Sequence, residues 1–414
     1  MSAPISLRHK HSSINFQNVD LLTQTHTLCL YLRAVLLAPL SRLPSFPSLP
    51  LPFFPRQYLM APHSVPVLED DVLHQLLTDL PPALISLAIP GFLMYLSLWA
   101  FAKRWRVVFV VLSVPTLVGF WVSGLVAPVR CAALKALLRF TVAAGTMKLL
   151  DVHALSLKSS FPSYSAGSPP RPSIMALILL TELRLESFTP NPIRHTPTPK
   201  FPPGTSTSFR ESFYSEPVQL IVHLALFAIL QVSPQFLWVK ALGILFTIWI
   251  LWTSCQLVLR YKTSPPLFGP IWRADSLAGF WVETWHNAFA SPCLNLTYTP
   301  VFFILTKLGS PRAFARATAV VSGFGLMAWF HVYALEPLLS QEGKWRIGVF
   351  FIGNGIFTVV EVAIWGKKRH WLRALIAWAI ELSLSSWAVA AIEVADGVLA
   401  ADWRGLCRVP SAGR

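Results

Sequence analysis

From about residue 80 onward, long apolar runs alternate with short charged or proline-rich breaks. Pro82–Ala102 is apolar and stops at Lys103-Arg104-Trp105-Arg106, and Val107–Val129 follows it. At ~1.5 Å rise per residue, some 20 apolar residues cross a hydrocarbon core of about 30 Å, so each run predicts a transmembrane helix. Cys131–Leu150 is also apolar, but Lys135, Arg139 and Lys148 are spaced along it. It predicts an interfacial helix or a poor span. A second block holds Pro217–Val232 and Phe236–Leu257, parted by Pro234, then Ala317–Leu338, Ile347–Trp365 and Leu372–Val394. Tyr298–Leu308 is apolar but short, and no internal repeat is visible. The pattern predicts an all-α, polytopic integral membrane helical bundle of about seven to nine transmembrane helices.

The breaks divide the chain. Residues 1–79 are rich in Pro and Ser, with a weak apolar patch at Leu28–Leu40. Pro44, Pro47, Pro50, Pro52 and Pro55 forbid a regular element there, so a disordered segment is predicted. Met60 would serve as a start of its own, which makes residues 1–59 dispensable on this reading. A membrane domain over 80–400 follows, and 401–414 form a tail. Within the domain, 155–216 is a Pro/Ser-rich loop. Ile174–Leu180 inside it is too short to span, and the proline density argues against a packed unit.

Composition sharpens the picture. Of 414 residues, 54% are hydrophobic and only 13% charged, with a mean hydropathy of +0.54. So few charges could not cover so much apolar surface in water, so lipid is the predicted solvent for most of the chain. The formal net charge is +15. The basic residues cluster beside apolar runs, at Lys103–Arg106, Arg260–Lys262 and Lys367–Arg373, which fits cytoplasmic loops rather than a nucleic-acid surface. Putting all three on one side requires an extra crossing, from either 131–150 or 173–189. Cys29, Cys131, Cys255, Cys293 and Cys407 are scattered without a C-x-x-C pair, so neither a disulfide framework nor a zinc site is predicted. The N-terminus does not read as a cleavable signal peptide.

Ionisable residues inside apolar runs are costly and mark candidate chemistry. His331 lies within Ala317–Leu338, beside Trp329, Phe330 and Tyr333. A neutral imidazole there would be a competent general base. Glu361 and Glu381 are intramembrane carboxylates that could pair with a histidine or with Arg373. His223 reads as a structural histidine. Between two runs lies Ser276-Leu-Ala-Gly-Phe-Trp-Val-Glu-Thr-Trp-His286-Asn287. Its Phe280, Trp281 and Trp285 suit an amphipathic helix at a membrane interface. From these residues alone an enzyme, a transporter with a His/Glu pathway and an inactive membrane scaffold all stay open.

Phe280-Trp281-x-x-x-Trp285-His286 in a loop, Val321-Ser322-Gly323 and a His in the next run resemble the wax synthase-like branch of the membrane-bound O-acyltransferases. Phe350-Phe351-Ile-Gly-Asn-Gly355 leading to Glu361 is similar to the stretch after that His in the family. The resemblance covers 265–395 well and looks closest to fungal members, many of which acylate terpenoid or other secondary-metabolite alcohols. It implies acyl transfer from acyl-CoA, as co-substrate, to a lipophilic alcohol at a site in the endoplasmic reticulum membrane, with no bound cofactor and no metal. By the same resemblance His331 is the base and His286 its helper. Trp285, Phe280, Trp281, Asn287 and Glu361 shape the substrate site. Glu283 and Thr284 stand where the family carries arginines.

Overall fold

The computed structural model describes residues 72–157, 163–165, 167–182, 184–189, 215–259, 266–285, 288–366, 368, 370–392, 394 and 407. The described residues belong to one unit, Leu68–Arg414; the other unit, Met1–Val67, lies outside them, as do most of the predicted tail and Arg260–Lys262. The architecture is all-α apart from a two-residue antiparallel pairing of β1 (Ser163–Tyr164) with β2 (Phe188–Thr189).

Among the described residues the longer helices are α1 (Val72–Ala102), α2 (Arg106–Val126), α3 (Ala132–Ser156), α4 (Pro172–Thr181), α5 (Glu216–Val232), α6 (Leu237–Leu259), α7 (Thr299–Lys307), α8 (Arg312–Leu335), α9 (Gln341–Trp365) and α10 (Trp371–Val389). Among the described residues six are long and apolar enough to cross a membrane: α1, α2, α6, α8, α9 and α10. The other predicted runs match these elements, but Pro217–Val232 becomes α5, whose 17 residues leave it shorter than the six, and α1 begins at Val72, ahead of the boundary set at residue 80. Pro81, Pro82 and Pro90 lie inside α1 and Pro115 inside α2, as is tolerated in membrane helices. On α2 one face, Val107, Val111, Val118, Val122 and Leu125, is exposed, while Phe109, Ser113, Thr116 and Phe120 are buried. The exposed stripe is the face for lipid and the buried one packs on α1 and α3.

The turn between α1 and α2 is tight: Arg104 takes φ 62°, the left-handed region. Packing then bears on the open question about α3. A Cβ on Gly124, near the end of α2, would meet Val142 of α3. Phe120 reaches Gly145, and Phe109, at the start of α2, lies 4.4 Å from the ring of His153 near the end of α3. The two helices are therefore antiparallel over the whole length of α2, so α3 runs back alongside that span, although it is not itself among the six helices apolar enough to cross. Of the two readings of Cys131–Leu150, this packing favours the poor span over the interfacial helix, and two of its three basic residues find partners: Arg139 pairs with Glu336, and Lys148 donates to the Glu182 carbonyl. Asp79 of α1 accepts from the amides of Arg130 and Cys131 (2.7 and 2.6 Å) and so holds the entry to α3.

Two further expectations are overturned. Cys131 is disulfide-bonded to Cys407 across 276 residues, although no disulfide was predicted. Pairing at that separation leaves no local spacing to read. The described part of 155–216 is also packed: Glu182 and Arg184 are buried, and Arg184 Nη1 donates to the Pro266 carbonyl at 3.0 Å. Leu179, Leu185 and Phe188 are buried beside these charged anchors.

Candidate active site

Half of the described residues of the stretch 276–285 are buried: Ser276, Leu277, Phe280, Thr284 and Trp285. Ser276 caps a short helical turn, its Oγ accepting from the Gly279 amide at 2.9 Å. The next two free amides of that turn, Leu277 and Ala278, donate to the Glu361 carboxylate of α9 at 2.9 and 3.1 Å. A carboxylate at a helix N-terminus meets both unsatisfied donors and the positive end of the dipole. Arg373 of α10 holds the same carboxylate at 3.1 Å. The turn passes directly into a π-helical segment, Phe280–Thr284. Such segments are rare and recur at functional sites. It packs Phe280 parallel to Trp285, ring centroids 5.7 Å apart. Trp281 lies edge-on to Phe324 and Phe350, and its Nε1 donates to Asn354 Oδ1 at 3.3 Å.

These rings close one side of a cavity of about 430 Å³. The other walls come from α6 (Leu242, Leu245, Ile248), α8 (Phe330, His331, Ala334), α9 (Ile347, Phe350, Phe351) and α10 (Trp378, Glu381, Ser385). The lining is apolar with a few polar groups, the usual character of a small-molecule site.

His331 is held from two directions. Its Nδ1 bonds to the Met327 carbonyl at 2.8 Å, and its ring stacks on Phe351 at 4.2 Å. A carbonyl only accepts, so Nδ1 carries the proton of the neutral ring and Nε2 keeps its lone pair. Among the described residues Nε2 has no protein partner. The ring is thus fixed in the tautomer a base needs, on an apolar wall.

Of the residues singled out from the sequence, His331, Phe280, Trp281 and Trp285 line this one cavity. Glu361 does not; its carboxylate serves Arg373 and the Ser276–Gly279 turn. His286 and Asn287 lie outside the described residues, but Trp285 and Ala288 on either side line the cavity. Ser322 and Gly323 sit away from it, with Gly323 against Cys293 and Thr297. His223 is stacked on Trp249 (3.6 Å) and Trp272 (4.8 Å) and is not part of the lining. Sequence reasoning missed Trp378 and Phe289, which carry no signal beyond apolarity. It flagged Glu381 as an intramembrane carboxylate without placing it at the site.

Comparison with known proteins points to the same stretch. Over 108 residues the chain is 25% identical to the probable long-chain-alcohol O-fatty-acyltransferase 1 of Arabidopsis thaliana. That alignment covers 26% of this chain and 31% of the relative, so the chain spans about a third of the curated relative it matches. No solved structure matches the chain. Residues 264–353, which contain the aromatic π-helical segment, His331 and Phe351, match the Membrane bound O-acyl transferase family.

Proposed function

We propose that this protein is a membrane-bound O-acyltransferase that esterifies a lipophilic alcohol, with acyl-CoA as donor. The observation that carries the reading is His331: a tautomer-fixed imidazole with a free Nε2, in an apolar cavity, within the stretch that matches the acyltransferase family. In the reaction Nε2 accepts the proton of the acceptor hydroxyl. The alcohol oxygen attacks the thioester carbonyl, the C–O bond forms, the C–S bond breaks, and CoA leaves as the thiol after taking up that proton. The low-dielectric wall strengthens each polar contact to the developing charge. His286 is the proposed helper at the oxyanion. The acceptor is a terpenoid, sterol or fatty alcohol, because it must enter a cavity lined by Leu, Ile, Phe and Trp. The endoplasmic reticulum is the proposed location, and a disulfide supports a membrane with one oxidising face.

A transporter pathway through His223, His331, Glu361 and Glu381 is less well supported. Glu361 is neutralised by Arg373, and His223 is packed between tryptophans outside the cavity. The test is ester formation by purified full chain from acyl-CoA and a panel of lipophilic alcohols. His331→Ala is expected to lower the rate by about 10²-fold or more, the usual contribution of a general base. Equal rates in His331→Ala and wild type would sink the assignment.

A further inference from the structure

Two polar groups reach the cavity wall from different helices. One is Nε2 of His331. The other belongs to Glu381 of α10, a residue of the cavity lining that is 5% exposed. Glu381 bonds to the side chain of Asn354, and among the described residues its Oε2 has no hydrogen-bond partner. The nearest cation along α10, Arg373, is engaged by Glu361 and by the carbonyls of Gly366 and Lys368. A buried polar atom without a partner is costly, and such groups are retained where a ligand completes them. Ser385, one turn on, also lines the cavity, its hydroxyl donating to the Glu381 carbonyl at 2.7 Å.

Asn354 fixes the spacing. It follows Phe351, on which His331 stacks, by three residues of α9. At ~1.5 Å rise per residue, the two α9 residues that His331 and Glu381 contact are offset by somewhat less than one helical turn. Between and around the two anchors the lining is apolar.

Resting on the acyltransfer reading, we propose that the acceptor carries a second hydroxyl. Glu381 binds that group while the hydroxyl to be acylated lies at His331. A carboxyl oxygen accepts a hydrogen bond in either protonation state, so a hydroxyl donor is the fitting partner. Glu381 is thereby a specificity residue that selects diols over simple fatty alcohols.

The test uses two probes of equal length, hexadecanol and a hexadecanediol whose hydroxyls are about four carbons apart, close to the rise of one helical turn. Binding to the purified full chain is read from the fluorescence of the cavity tryptophans, Trp252, Trp281, Trp285 and Trp378. Wild type is expected to bind the diol about tenfold more tightly, the equivalent of one good hydrogen bond. Glu381→Gln, which keeps an acceptor oxygen, retains the preference, and Glu381→Leu loses it, the diol-to-hexadecanol ratio falling to about one. Esterification of the pair should follow the same ratios in kcat/KM. A wild type without preference, or a Glu381→Leu protein that keeps it, overturns the proposal. Should Glu381→Leu not fold, the wild-type ratio decides alone. Diol-selective binding without any ester would sink the acyltransfer reading and leave the site standing.

Discussion

Glu361 and Glu381 look alike in sequence, each a carboxylate in an apolar helix, yet their surroundings assign them opposite tasks. Glu361 holds two backbone amides and Arg373, and so anchors the segment that carries Phe280 and Trp281 to α9 and α10. Removing one partner of a buried pair leaves an uncompensated charge and costs about 3–5 kcal/mol. Glu361→Ala and Arg373→Ala are each expected to lower the melting temperature in detergent clearly. The double variant should be no worse than the worse single one, since it removes both charges together. Additive losses would show that the two residues act separately. His331 is read differently again: its identity as a candidate base was legible in the sequence, but its tautomer was not. The tautomer depends on the Met327 carbonyl and on where Phe351 of the next helix places its ring.

Apolar run length located the elements well. α2, α6, α9 and α10 fall within a few residues of the predicted runs, because a bilayer selects helices by local composition and length. α3 stayed open between an interfacial helix and a poor span because Lys and Arg along a helix look alike whether water or a neighbouring helix satisfies them. Close approach between helices is equally invisible locally. A Cβ on Gly355 of α9 would sit 2.9 Å from Phe324 of α8, the residue that packs edge-on against Trp281. Gly355→Ala therefore forces the α8–α9 contact apart, an overpacking cost of about 1–3 kcal/mol. Gly325, whose added Cβ would meet nothing within 4 Å, is the control. Gly325→Ala should melt at or above the wild-type temperature. The idea fails if the two variants melt alike.

Across the molecule, charge and disulfide agree on one orientation. The Lys103–Arg106 turn precedes α2, and the 367–373 basic stretch precedes α10. Cys131 follows α2 and Cys407 follows α10, so one crossing separates each cysteine from a basic cluster. With the clusters cytoplasmic, both cysteines lie on the far side, where disulfides persist. An N-glycosylation site engineered next to Cys131 should be modified in microsomes, and one placed at the α1–α2 turn should not. The reverse pattern would refute the orientation. Replacing both Cys131 and Cys407 by Ser should lower the melting temperature, since a bridge over so long a loop is worth about 2–4 kcal/mol.

Hydropathy along the chain was enough to make it an all-α membrane protein, to locate its spans, and to set His331 and the Phe280–Trp285 stretch apart from ordinary spans. Those properties arise from each segment meeting its solvent, which local composition records. It took the folded arrangement to establish that α3 packs antiparallel to α2, that Cys131 meets Cys407, that Glu361 is a pillar and that Glu381 lines the cavity with His331. Each of those depends on which distant residue comes within a few ångströms, and no run of neighbouring residues encodes such a distance.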